Sequence, residues 1–150
     1  MSTLKKELFA ACVDYVQQRI EAAKQAIDDA QAASEEETKS SAGDKYETGR
    51  EMMQQITDRN MKLLNDANKL KIALGQININ GQHDLAETGS VVKTDNGNFF
   101  IAISAGAITV KNENFYAISP ASPIGLKLKG LRMGNKFSLN EKSYVVKEVI

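Results

Sequence analysis

A single cysteine, Cys12, excludes an intramolecular disulfide framework and cannot by itself make a zinc site. A reducing cytoplasm is therefore the expected compartment. No apolar run approaches the ~18 to 20 residues that a membrane-spanning helix needs, so no membrane association is expected. Net charge is absent too, since 19 basic residues balance 19 acidic ones. The balance is uneven along the chain: Met1 to Asp84 holds 11 Lys and Arg against 14 Asp and Glu, whereas Leu85 to Ile150 holds 8 against 5. Neither half carries the dense basic stripe of a protein that grips bare duplex, which argues against autonomous DNA binding and favours an assembled protein partner. Tryptophan is missing and proline occurs only twice. With 42% hydrophobic and 25% charged residues in a chain of 150, the composition fits one medium domain or two small folded ones.

Two long stretches are free of proline and show the period of a helical seam. Phe9, Val13, Val16, Ile20, Ala23, Ile27, Ala30 and Ser34 step alternately by four and three, predicting a helix from about residue 3 to the mid-thirties. Met53, Ile56, Asn60, Leu63, Ala67, Leu70 and Leu74 repeat the pattern. Pairing Ala30 with Ile56, Ile27 with Asn60, Ala23 with Leu63, Ile20 with Ala67, Val16 with Leu70 and Val13 with Leu74 keeps the summed residue number nearly constant. That is the register of an antiparallel coiled-coil hairpin over residues 1–78. Its midpoint falls at Gly43 to Asp44, inside a tip at residues 38–48. About 30 residues per arm would hold the tip roughly 45 Å from the base.

The period changes after Asn78. Residues 79–88 are expected to form a linker, and residues 89–150 a second domain of short strands separated by turns. The runs SVVKT, NFFIAIS, AITVK, FYAI, KFSL and SYVVKEVI are candidate strands, and Asp95, Asn96 and Gly97 signal a hairpin between the first two. In SPIGLKLKG, Ser122 is placed as an N-cap, Pro123 as the first helical residue and Gly130 just past the end of one short helix. The expectation is an α+β chain: a helical hairpin, then a small antiparallel sheet with one helix against it.

Two carboxylates stand at the hairpin midpoint, Asp44 and Glu47. Their spacing suits an N-cap with its partner three residues on, and also two oxygen donors aimed at one hard cation. Lys45 and Arg50 nearby are either solvated charges or contacts to phosphate or to acidic protein surface. Glu35, Glu36 and Glu37 read as a solvated run near the end of the first helix, Cys12 as structural, and His83 as a linker residue that stands alone, without the neighbouring ligands a metal site needs. Asn60, in an apolar seam, is a candidate for fixing register.

With these residues in view, the chain resembles the bacterial transcript cleavage factors of the GreA/GreB family. The resemblance is carried by SPIG at Ser122 to Gly125, by Leu128, Gly130, Gly134, Phe137, Tyr144 and Ile150, and by Gly43, Asp44 and Glu47 at the tip. It implies an FKBP-like C-terminal domain that docks on RNA polymerase, and a coiled coil that enters the secondary channel. It further implies that Asp44 and Glu47 help hold a Mg²⁺ ion shared with the polymerase, so that water cleaves backtracked RNA at its 3′ end. The activity would belong to the polymerase, with this chain as its cofactor. Thr48, Gly49, Arg50 and Glu51 depart from the family's usual continuation, which leaves open a regulator of the same shape that enters the channel without promoting cleavage. A prolyl isomerase, the third reading, would need an aromatic pocket floor built from Phe99, Phe100, Phe115, Phe137, Tyr116 or Tyr144.

Overall fold

The structure is a computed structural model that describes residues 3–40 and 44–150, with side chains for residues 3–35 and 49–150. It is an α+β chain. Two long helices come first, α1 at Thr3–Ser40 and α2 at Asp44–Gly75. Six strands and one short helix follow: β1 Val91–Thr94, β2 Gly97–Ile101, β3 Gly106–Val110, β4 Glu113–Ile118, α3 Pro123–Leu128, β5 Lys136–Leu139 and β6 Lys142–Val149.

Val16 to Lys71 forms one compact unit, made only of the two helices. The helices pack on each other and are separated by only residues 41–43, so they run antiparallel. The buried stripe of α1 in this unit is Val16, Ile20, Ala23, Ile27 and Ala30, as the seam predicts. On α2 the stripe is less closed, because Ala67 and Asn60 are buried while Leu63 is 49% exposed. Asn60 turns its amide back to donate to the Ile56 carbonyl at 2.8 Å, a bond within its own helix.

The chain up to Tyr15 and Ile72–Ile150 form the second unit. Here the helical pattern departs from expectation: Leu8 and Cys12 are fully buried, whereas Phe9 is only half-buried and Val13 is 43% exposed. Below Val16 the buried positions are Cys12, Leu8 and Lys5, and the two successive steps of four from Val16 to Leu8 carry the inward stripe off the line of Phe9 and Val13.

All six expected strands are present, in the order β3-β4-β2-β1-β6-β5. Every neighbouring pair is antiparallel except β2 with β4, which run parallel with Phe99 opposite Tyr116. The chain leaves β2, turns back through β3 on the outside and re-enters as β4, and this excursion makes the parallel pair. Two tight hairpins turn on left-handed pairs, Lys111 and Asn112 (φ 51° and 65°) and Asn140 and Glu141 (φ 53° and 68°). These are the positive-φ pairs that two-residue primed turns demand, and asparagine tolerates them best among non-glycine residues.

One sheet face and α3 enclose Ala86, Val92, Phe99, Ile101, Leu128, Tyr144 and Val146. The alternate residues Val91, Phe100 and Phe115 are also fully buried, so the sheet has apolar cover on both faces. The short helix is capped as its sequence predicts. Ser122 Oγ accepts from the Gly125 amide at 3.1 Å and donates to the Ser119 carbonyl at 2.6 Å. Gly125 lies so close to this turn that a Cβ there would stand 2.2 Å from the Ser119 oxygen.

Candidate functional site

Helix α2 begins at Asp44, which puts Asp44, Lys45 and Glu47 in its first turn. The side chains of all three lie outside the described residues, as do those of Glu36 and Glu37 and the whole of Gly43. The backbone nevertheless fixes how the positions are related. Three residues of α-helix separate Asp44 and Glu47 by about 4.5 Å along the axis and about 60° around it, so they share one face. Two negative groups on one face, held at a helix start, suit a hard divalent cation that takes the rest of its oxygen shell from another source. Arg50, one turn further on, is exposed, and Glu35 near the end of α1 is exposed as well. The segment Thr48 to Glu51 continues α2 without interruption.

Between the helices lies a groove of about 290 Å³. Ala22, Ala23, Leu63, Ala67 and Leu70 form its apolar lining, and Arg19, Asn60 and Asp66 line it as well. Ala23 and Leu63 line the same groove, as the expected register requires.

A group that sequence reading passed over is Lys5. It is 1% exposed, and its ammonium donates to the Gly81 carbonyl at 2.9 Å. Burial pulls its pKa below the ordinary lysine value, against the opposing pull of the Glu87 carboxylate. The signal was present in the sequence: Lys5 precedes Leu8, Cys12 and Val16 by helical steps and so sits on the buried stripe. Glu87 also holds His83, whose Nδ1 lies 2.5 Å from Glu87 Oε1. The buried Nε2 of His83 has no hydrogen-bond partner among the described residues. Among those residues no three His, Cys, Asp or Glu side chains converge as a metal cluster.

Cys12 is fully buried and burial pushes its thiol up to about 11, so it is structural rather than nucleophilic. Phe99, Phe100 and Phe115 are consumed by the core, and Phe137 stacks on Tyr144 with ring centroids 4.7 Å apart. Tyr116, the remaining ring of the set, is 46% exposed. No helix among the described residues is long and apolar enough to cross a membrane. Compared with known proteins, the chain matches no protein-family model and no curated protein.

Proposed function

We propose that this chain is a transcription elongation factor that binds RNA polymerase at its secondary channel and stimulates Mg²⁺-dependent cleavage of backtracked RNA. The supporting observation is the placement of Asp44 and Glu47 on one face of the first turn of α2, the second helix of an antiparallel pair. Helix α2 has 32 residues, so it is about 48 Å long, enough to carry these carboxylates into a narrow channel. In this reading the FKBP-like sheet domain docks on the polymerase, and the protein works in the cytoplasm beside it.

The chain's own contribution is electrostatic. Asp44 and Glu47 would bring two carboxylates next to the polymerase's acidic centre. Bound between both sets of carboxylates, Mg²⁺ would neutralise the RNA phosphate and provide a site for the attacking water. Lys45 and Arg50 are placed to meet RNA phosphate or acidic polymerase surface.

The test is the double substitution Asp44→Asn with Glu47→Gln, assayed on a purified backtracked elongation complex. Docking should persist while stimulated cleavage collapses, because neutral amides cannot compensate a divalent ion beside phosphate. A double variant that docks and cleaves like the wild type refutes the assignment. The departure at Thr48 to Glu51 favours a second reading, a channel regulator without cleavage. Wild-type protein that alters transcription but never shortens the RNA would establish that reading instead.

A further inference from the structure

The sheet ends on β3, and the open edge of this strand has no strand partner among the described residues. We propose that this edge is a docking site for an extended, uncharged segment of a partner protein, which adds to the sheet as a seventh strand. The proposal is independent of the acidic tip.

The hydrogen-bond pattern follows from the turn. Lys111 and Asn112 form a two-residue loop, so the flanking Val110 and Glu113 are a hydrogen-bonded pair. Bonded pairs recur at every second residue, which assigns Ile108 with Phe115 and Gly106 with Ala117 to the same class. Ala107 and Thr109 therefore direct both backbone N–H and both C=O groups away from β4, toward solvent. Two donors and two acceptors in extended array are complementary only to another extended backbone.

Natural edges are commonly blocked by charge, proline or a bulge. The opposite edge strand, β5, opens with Lys136, but Gly106 to Val110 holds no charged residue and no proline, and its irregularity, Gly106 at φ 77° with the Ala105 amide bonded to the Ala117 carbonyl, lies before Ala107. The side chains favour an apolar guest. Ala107 is opposite Tyr116 on β4, and with so small a neighbour the Tyr116 ring stays 46% exposed. A long or aromatic residue set against Ala107 would reach that ring, while Ile108 offers a half-buried contact on the other face.

Area decides between a second copy and a partner segment. Five residues of strand extend about 17 Å, and one strand edge of that length buries far less than the roughly 800 Å² per partner of a stable dimer. A flexible segment that wraps alternate side chains onto both faces suits this edge better.

The experiment follows amide hydrogen exchange in the full chain, alone and with the capped, uncharged heptapeptide STVYVTS as probe. Without peptide, the amides of Ala107 and Thr109 should exchange much faster than those of Ile108 and Val110. Saturating peptide should slow Ala107 and Thr109 by at least about tenfold and leave Ile108 and Val110 unchanged. The same peptide N-methylated at alternate amides should have no effect. Thr109→Pro, which removes one outward N–H, should weaken binding by about tenfold, whereas Thr109→Val, which keeps it, should bind normally. Failure of the unmethylated peptide to protect these amides at millimolar concentration overturns the proposal. Equal protection by the methylated peptide, or protection that grows with protein concentration in the absence of peptide, overturns it as well.

Discussion

Gly125→Ala should unfold more easily than the wild type, although a helical Gly→Ala change ordinarily stabilises by about 1 kcal/mol. The new methyl would stand 2.2 Å from the Ser119 oxygen and 3.0 Å from both Cα and carbonyl carbon of Pro120, all backbone atoms. Relief therefore requires the 119–120 turn to retreat by about 1 Å, toward ordinary van der Waals contact. That carbonyl accepts from the Ser122 amide at 3.0 Å and from Ser122 Oγ at 2.6 Å, so the retreat loosens two bonds and disturbs the cap. Two hydrogen bonds at about 1 kcal/mol each, with about 1–3 kcal/mol of overpacking, outweigh the propensity gain by about 2–4 kcal/mol. Urea unfolding followed by far-ultraviolet circular dichroism should show a midpoint lowered accordingly, at unchanged slope. A variant within about 0.5 kcal/mol of the wild type would show that the turn yields freely and that the close approach has no energetic weight.

Burial lowers the Lys5 pKa from 10.5, so just below that pH the unfolded chain binds more protons and stability rises as pH is raised toward 10.5. Lys5→Met should lose this increment, so the difference between wild-type and variant stability should grow along the same titration. A difference independent of pH refutes it. Glu141→Gly should stabilise the β5–β6 hairpin by about 0.5–1 kcal/mol in thermal unfolding, because glycine adopts φ 68° without steric cost. Cys12, with its thiol raised to about 11 and buried, should react with iodoacetamide at neutral pH at least about 100-fold slower in the folded chain than in denaturant.

The hairpin and the strands were legible because each writes a simple period into the sequence. Val16, Ile20, Ala23, Ile27 and Ala30 are bound by steps of three and four, and those positions are buried. Phe9 and Val13 misled because extending the same steps ignores the other partners of that stretch; Leu8 and Cys12 are inside instead. Local patterns also cannot report strand order. The runs NFFIAIS and FYAI mark β2 and β4, but nothing within them says that the two lie side by side and parallel. Asn112 and Asn140 did carry turn chemistry, without the glycine that makes such a signal obvious. At the tip, the backbone places Asp44 and Glu47 in the first turn of α2, and their side chains lie outside the described residues. Buried Lys5 escaped notice because a charged residue near the start of a helix is expected in solvent.

The position of β6 has a consequence for biosynthesis. Three hairpins in this chain are local, β1 with β2, β3 with β4 and β5 with β6, and each can pair soon after its own residues emerge. The sheet becomes continuous only when Val149 reaches Val92, and Ile150 then exchanges two backbone hydrogen bonds with Val91 at 2.8 and 3.0 Å. Until residues 142–150 have been made, β1 presents a bare edge containing Val91 and Val92, two of the least exposed side chains of the folded unit. At roughly 5–20 residues per second, β1 waits several seconds for its partner during synthesis. A ribosome stalled shortly before those codons would hold out an apolar strand in search of a mate, the kind of nascent chain that chaperones capture.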